Sequence, residues 1–245
     1  MRSVIHHEFG DPSEVLVAGD GPVPEPGPGE VRVRMQLAPI HNHDLITVRG
    51  QYGWKPQLPA IGGSEGFGEV DALGEGVDGI AVGQRVTAAS GHGTWAEYFV
   101  ASARMLVPIP DAIEDELAAQ LVAMPLSALM LLDFLDVQPG QWIVQNAANG
   151  AVGKTLAMLA AARGVGVLSL VRREAGVGEM ASLGIDNVVC TAGDAWRDAA
   201  RPLLGEGRAR AAVDSIGGQA SAELVALLGE EGVLVSFGSM GGEPM

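Results

Sequence analysis

Gln141-Trp-Ile-Val-Gln-Asn-Ala-Ala-Asn-Gly-Ala-Val-Gly153, continued by Lys154-Thr-Leu-Ala-Met-Leu-Ala-Ala-Ala162, is the stretch on which the fold turns. The apolar run Trp142-Ile-Val144 follows the turn signal Gln138-Pro-Gly140 and reads as a buried strand. The Ala/Leu-rich segment after Gly153 reads as a helix with no breaker before Gly164. Between them lies a turn of small residues. Against the Gly-x-Gly-x-x-Gly pattern of dinucleotide-binding turns, the three positions are Ala148, Gly150 and Gly153, with alanine in place of the first glycine. Gly150 lets the backbone approach a pyrophosphate, Gly153 lets helix and strand pack closely, and the open N–H groups of the helix N-terminus favour an anion. Asn149, Gly150, Ala151, Val152 and Gly153 are therefore the expected pyrophosphate site. The alternative is an ordinary loop rich in Gly and Ala, and the strand before it and the helix after it speak against that.

A second apolar strand, Val165-Gly-Val-Leu-Ser-Leu-Val171, ends in Arg172 and Arg173. In dinucleotide-binding folds an acidic residue at this strand end holds a ribose 2′-hydroxyl, whereas arginine suits a 2′-phosphate. The arginine pair points to NADPH, with Glu174 arguing the other way and a solvated helix entry as the alternative. Further strands are expected at 187–191, 211–216 and 232–238. Helices are expected between them at 194–204 and 219–228, each closed by a glycine, Gly205 or Gly229. Parallel strands with helical crossovers make a doubly wound sheet. Asp214, at a strand end beside Gly217-Gly218, reads as a turn acceptor rather than a catalytic acid.

Composition bounds the partners. Thirty acidic against fifteen basic side chains give a formal net charge of −15, a field that repels nucleic acid and anionic membranes. The only lysines are Lys55 and Lys154. The single cysteine, Cys190, excludes an internal disulfide and a four-cysteine zinc site, and its apolar setting suggests a buried structural thiol. The longest apolar region, 117–135, is interrupted by Gln120, Pro125, Ser127 and Asp133, so it reads as two buried helices. The second of these, at 124–134, has Pro125 in its first turn. No secretory signal is visible, and a soluble cytoplasmic protein is expected.

The first half, up to about Pro110, consists of short strand-like runs cut by Gly and Pro. Glu30-Val-Arg-Val-Arg-Met-Gln-Leu37 alternates as a half-buried strand. Others are expected at 68–73, 85–88, 94–100 and 104–107, which suggests a small antiparallel barrel.

Gly27-Pro-Gly-Glu-Val-Arg-Val-Arg34, His43-Asp44, Leu58-Pro-Ala-Ile-Gly-Gly-Ser-Glu-Gly-Phe-Gly68 and Val82-Gly-Gln-Arg-Val86, together with the cofactor turn, resemble the medium-chain dehydrogenase/reductase superfamily along the whole chain. The resemblance implies a GroES-like β-barrel catalytic domain at 1–113 and an NADP-binding Rossmann domain at 114–245. Zinc-dependent members place ligands near positions 42 and 64, where this chain has Asn42 and Ser64, so the zinc-free branch is implied and no metal is expected. His41 and His43 read as a turn residue and a hydrogen-bonded side chain rather than as metal ligands.

Within that branch Arg49-Gly-Gln-Tyr-Gly-Trp-Lys-Pro-Gln-Leu-Pro-Ala-Ile-Gly-Gly-Ser-Glu-Gly66 is similar to the motif of 2-enoyl thioester reductases, whose tyrosine is the proton donor; here it is Tyr52. A phenol with an ordinary pKa of about 10 stays protonated at neutral pH and can protonate or stabilise an enolate. The alternative is that Tyr52 packs beside Trp54. Asn146-Ala-Ala-Asn149, Gly63-Ser-Glu-Gly66 and Gly91-His-Gly-Thr-Trp-Ala-Glu-Tyr98 also resemble this branch, with Trp95 and Tyr98 expected in strand core and cleft wall. Met124 stands where those reductases carry a cofactor-contacting asparagine. Phe237, Gly238, Ser239 and Met240 match a turn that lies against the cofactor. NADPH-dependent reduction of a carbonyl-conjugated C=C bond is the implied activity. Quinone reduction by the same fold is the alternative, and a non-catalytic NADPH-binding protein the more remote one. The superfamily continues several tens of residues past this point, so a chain ending at Met245 is expected to lack its C-terminal segment, and a homodimer is implied.

Overall fold

The computed structural model describes residues 1–89, 92–204 and 208–242. Gly91 of the 91–98 motif, the helix-closing Gly205 and the chain end at Met245 lie outside the described residues. Two compact units divide between Ala123 and Met124.

The first unit, Met1–Ala123, is made of antiparallel strands: β1 (Arg2–His6), β2 (Val17–Asp20), β3 (Glu30–Leu37), β4 (Ala60–Ile61), β5 (Gly66–Leu73), β6 (Arg85–Ala88), β7 (Tyr98–Ser102) and β8 (Leu106–Pro108). They form sheets of order β2-β1-β4 and β7-β3-β5-β6-β8. Helices α1 (Pro12–Val15), α2 (Asn42–Val48) and α3 (Asp115–Ala118) complete it. In β3 the alternation drives the packing. Val31 and Val33 are fully buried with Val70, Val86 and Phe99, while Arg32 and Arg34 turn outward to Asp71 at 2.6 Å and Glu69 at 2.5 Å.

The strand expected at 94–100 begins only at Tyr98, because the preceding residues wrap Trp95 over Gly62 and Gly63; a Cβ at either glycine would meet the indole within 2.4 Å. The strand expected at 104–107 opens as a short 3₁₀ turn, and β8 starts at Leu106. The segment after residue 113 stays with the first unit, since Ala118 and Ala119 close a small core over Phe67 and Ile109.

The second unit, Met124–Met245, holds a five-stranded parallel sheet of β9 (Trp142–Gln145), β10 (Gly166–Val171), β11 (Val188–Cys190), β12 (Ala209–Asp214) and β13 (Leu228–Ser236), ordered β11-β10-β9-β12-β13. The remaining helices are α4 (Ala123–Leu135), α5 (Ala151–Ala162), α6 (Glu174–Ser182), α7 (Trp196–Ala200) and α8 (Gly218–Val225). Strand order reverses at β9, so the turn after β9 sits where doubly wound sheets bind ligands. One core packs Leu131, Leu135, Leu156 and Ala160 with Ile143 and Val167; another gathers Val144, Leu168, Trp196 and Leu224.

Several sequence expectations change. The region 117–135 is not two buried helices: α3 is a single turn, and α4 buries Ala128, Leu131, Leu132 and Leu135 while exposing Met130 and Phe134. The helix expected at 194–204 shrinks to α7 and a 3₁₀ turn at Pro202. Gly229 lies inside β13 rather than closing α8, which ends at Val225. Cys190 is half-buried at the end of β11, not fully buried. Among the described residues no helix is long and apolar enough to cross a membrane.

Candidate functional site

In the second unit the site is a set of backbone groups. Gly150 is the N-cap of α5, no side chain caps that helix, and the N–H groups of Ala151, Val152 and Gly153 stand in its first turn, where a helix has no internal acceptors to offer. Gly153 is obligatory, because a Cβ there would fall 2.5 Å from the carbonyl oxygen of Ala148. Ala147 adopts φ 48°, a left-handed conformation costing roughly 1 kcal/mol that lets the chain reverse between strand and helix. Buried Gln145 secures the turn from below, donating to the Gly153 carbonyl at 2.9 Å and to Ser169 Oγ at 3.2 Å. Asn149 stands near Glu179, a carboxylate already paired with Lys154.

Asn146 links the ends of two strands. Its Nδ2 donates to Asp214 at 2.5 Å and its Oδ1 accepts from the Ser215 N–H at 2.8 Å. Asp214, fully buried, also accepts from the N–H groups of Ile216 and Gly217 and from Ser221 Oγ at 2.5 Å. Burial pushes its pKa up, but Ser221, Asn146 and the two amides outweigh that and hold the carboxyl below its usual range. Asp214 is thus a turn acceptor. The next turn hangs on the same strand end: Phe237 N–H donates to the Asp214 carbonyl at 2.7 Å and Met240 N–H to that of Ser215 at 3.0 Å.

Arg172 follows β10 directly and Arg173 is the N-cap of α6; both are exposed, and neither forms an ion pair among the described residues. Glu174 occupies the first turn of α6, where a negative charge suits the helix dipole. The fold therefore collects the 149–153 turn, the arginine pair and residues 237–240 at the C-terminal edge of one parallel sheet. Uncapped donors, a glycine with no room for a side chain and two free guanidinium groups fit a phosphorylated dinucleotide.

In the first unit the site is a network of side chains. A cavity of about 210 Å³ is lined by His43, Asp44, Tyr52, Trp54, Ser64 and His92 among others. Tyr52 lies in the loop after α2, is 45% exposed, and sets its ring 5.7 Å from that of His43. Trp54 stacks on His92 at 4.0 Å instead of packing with Tyr52. Trp95 donates to the Pro39 carbonyl and Tyr98 lies under Arg32, and neither lines the cavity.

His41 caps α2 and Asp44 accepts from its backbone N–H at 2.9 Å. The His41 ring meets Glu65 at 2.6 Å, and the other oxygen of this fully buried carboxylate accepts the N–H groups of Val122 and Ala123. Ser64 bridges Asp44, at 2.6 Å, and His43, at 2.7 Å. Burial lowers the His43 pKa; Asp44 and Glu65 oppose this and His41 adds to it, so the ring is neutral at pH 7. Among the described residues no group of three or more His, Cys, Asp or Glu is placed to hold a metal ion. Glu65, Asp44, Ser64 and Gln145 carry the architecture of these sites; the first three stand inside motifs quoted above, but the motifs gave them no structural role, and Gln145 was not singled out at all.

Fold and site define a chain of two units: an antiparallel, GroES-like first unit with a polar cavity, and a second unit built on a doubly wound sheet with a dinucleotide-binding turn. Residues 27–111 match the alcohol dehydrogenase GroES-like domain family. Human mitochondrial enoyl-[acyl-carrier-protein] reductase is 33% identical over the whole of this chain, which spans 67% of that protein. The structure of a mycobacterial protein complexed with NADPH superimposes with a TM-score of 0.88 at 32% identity, covering 98% of this chain and 74% of that one. Escherichia coli quinone oxidoreductase complexed with NADPH gives 0.91 at 26% identity, covering 100% and 75%. The chain belongs to the zinc-free branch of the medium-chain dehydrogenase/reductase superfamily and is an oxidoreductase of that class.

Proposed function

We propose that the protein is an NADPH-dependent reductase of carbon–carbon double bonds conjugated to a carbonyl, acting on a 2-enoyl thioester with Tyr52 as proton donor. NADPH held at the second unit would supply the hydride that goes to the β carbon. Asn149, Gly150, Ala151, Val152 and Gly153 hold its pyrophosphate, Arg172 and Arg173 its 2′-phosphate, and Phe237, Gly238, Ser239 and Met240 the strand-end side of the site. Charge then develops on the thioester oxygen. Tyr52, a phenol open to the cavity, stabilises that charge and donates the proton that completes the reduction.

The observation that carries this reading is the combination of Tyr52 at the cavity with a relative named as an enoyl reductase along the whole chain. Quinone reduction is the second reading, favoured by the E. coli neighbour, and it has no need of a positioned donor. A homodimer in the cytoplasm completes the proposal. NADPH oxidation measured side by side with a short 2-enoyl-CoA and a simple quinone tests it: fast turnover of the thioester is expected. Turnover of the quinone alone would transfer the assignment to the second reading.

A further inference from the structure

Two histidines in the wall of the first unit's cavity keep an open acceptor nitrogen. His6, at the end of β1, is 1% exposed, and its Nδ1 lies 3.0 Å from the carbonyl oxygen of Glu8. A carbonyl only accepts, so Nδ1 carries the proton and Nε2 of the uncharged ring is a lone pair. No described residue pairs with that nitrogen. Nor is it sealed in protein: among the described residues Thr94 Oγ1 is the enclosed polar side-chain atom without a partner. The space onto which His6 opens is the cavity it lines. His43 supplies a second acceptor. Ser64 has one proton and donates it to Asp44 at 2.6 Å, so the 2.7 Å contact with His43 Nε2 carries the imidazole proton and leaves Nδ1 bare. The rings of His41 and Tyr52 lie against this imidazole at 5.1 and 5.7 Å, yet its side chain keeps 27% exposure, and no described residue pairs with Nδ1. An acceptor withdrawn from water and left unmet costs free energy that a donating guest recovers.

Charge and surface define the guest. Asp44 stands in the wall and Glu65 behind it through the His41 ring, while no Lys or Arg lines the cavity among the described residues. The oxygens of Asp44 are taken by Ser64 and the His41 N–H, so this carboxylate acts through its field, which favours a cation and disfavours an anion. Trp54, 43% exposed with His92 stacked on it at 4.0 Å, and Tyr52 add aromatic surface that also attracts positive charge. An uncharged donor would use the two nitrogens but not the field. A quaternary ammonium would use the field but offer the nitrogens no proton. A protonated amine uses both. The volume of about 210 Å³ lies below the roughly 300–1,000 Å³ of pockets for drug-sized ligands, so the guest is small. We propose that this cavity binds a small primary amine as its ammonium ion, which donates to His6 Nε2 and His43 Nδ1 and lies beside the rings of Trp54 and Tyr52. The site goes beyond the reductase reading: it needs neither NADPH nor the second unit, and an amine seated beside Tyr52 would keep an enoyl substrate from that wall.

The test titrates the full chain, without nucleotide, at about pH 8, where the amine is protonated and a histidine of ordinary pKa is not. Benzylamine, benzyl alcohol and benzyltrimethylammonium are compared by calorimetry, and long-range proton–nitrogen spectra of the histidine rings locate the site. Benzylamine should bind at least about tenfold more tightly than either comparison ligand, because only its charged N–H groups meet the acceptors. It should shift the His6 Nε2 and His43 Nδ1 resonances. His43→Leu, which removes an acceptor at a half-buried place, should weaken benzylamine about tenfold and leave benzyltrimethylammonium nearly unchanged. His6→Phe should do the same, and His43→Leu keeps the test decisive if the buried His6 variant fails to fold. Benzyl alcohol binding as tightly as benzylamine overturns the proposal, as does benzylamine binding that His43→Leu leaves intact or that moves neither histidine. Since no NADPH is present, a chain that binds the amine but reduces no enoyl thioester supports the site and removes the enoyl reading. Thioester reduction without amine binding does the reverse.

Discussion

The β9–α5 turn and the cavity beside Tyr52 solve the same problem, that of holding polar groups ready for a ligand, with opposite means. The turn uses backbone: the uncapped first turn of α5, the left-handed Ala147 and a Gly153 with no space for a Cβ. The cavity is backed by side chains drawn from two stretches, with His41 and Glu65, and His43, Ser64 and Asp44, closing two hydrogen-bonded sets. A backbone site is rigid because the fold is rigid, and it tolerates few residue types at fixed spacing. A side-chain site depends on each partner satisfying the next.

Substitutions can break each half of that contrast. The largest effect is expected at Glu65. Glu65→Ala removes the acceptor of the His41 ring and of the Val122 N–H in a fully buried place, and should destabilise the chain by about 3–4 kcal/mol, read from denaturant unfolding. Glu65→Gln, which keeps one acceptor oxygen, should lose clearly less. Gly153→Ala comes next. Its Cβ would press on the backbone of Ala148, so a loss of about 2–3 kcal/mol and of NADPH binding together is predicted by melting and titration.

The difference between the two sites also decided what could be read from the chain. The turn was legible since its requirement is local: strand, glycines and helix occur within 141–162. Tyr52 was found only through a motif in its own loop. The network was not legible, because its members come from His41 to Asp44 and from Ser64 and Glu65, which meet only after α2 and the start of β5 pack. Likewise β7 starts late because of the packing of Trp95 on Gly62 and Gly63, a tertiary contact that alternation cannot reveal. Asp214 was legible as an acceptor from the paired glycines after it, but not as the partner of Asn146.

Asp214 sharpens the comparison, being a side chain that serves a backbone site. With its folded pKa below the ordinary carboxylate value, its contribution is present above about pH 4 and is lost as pH falls through the lowered value. Asp214→Asn should therefore cost about 2 kcal/mol at pH 7, with the gap to the parent chain narrowing in acid, as unfolding at several pH values would show. The smallest effect belongs to the exposed arginines. Replacing both Arg172 and Arg173 by Ala should weaken NADPH binding about tenfold and NADH binding hardly at all, with no change in melting temperature.

The central claim is that Tyr52 supplies the proton to a 2-enoyl substrate, and the most direct measurement is the rate of NADPH oxidation by a short 2-enoyl-CoA in the parent chain and in Tyr52→Phe, with NADPH affinity measured in both. Tyr52 is half exposed, so the fold should tolerate the change. The account predicts a fall in kcat of about a hundredfold at unaltered NADPH affinity. Full turnover in Tyr52→Phe would contradict it and leave Tyr52 as part of the cavity wall.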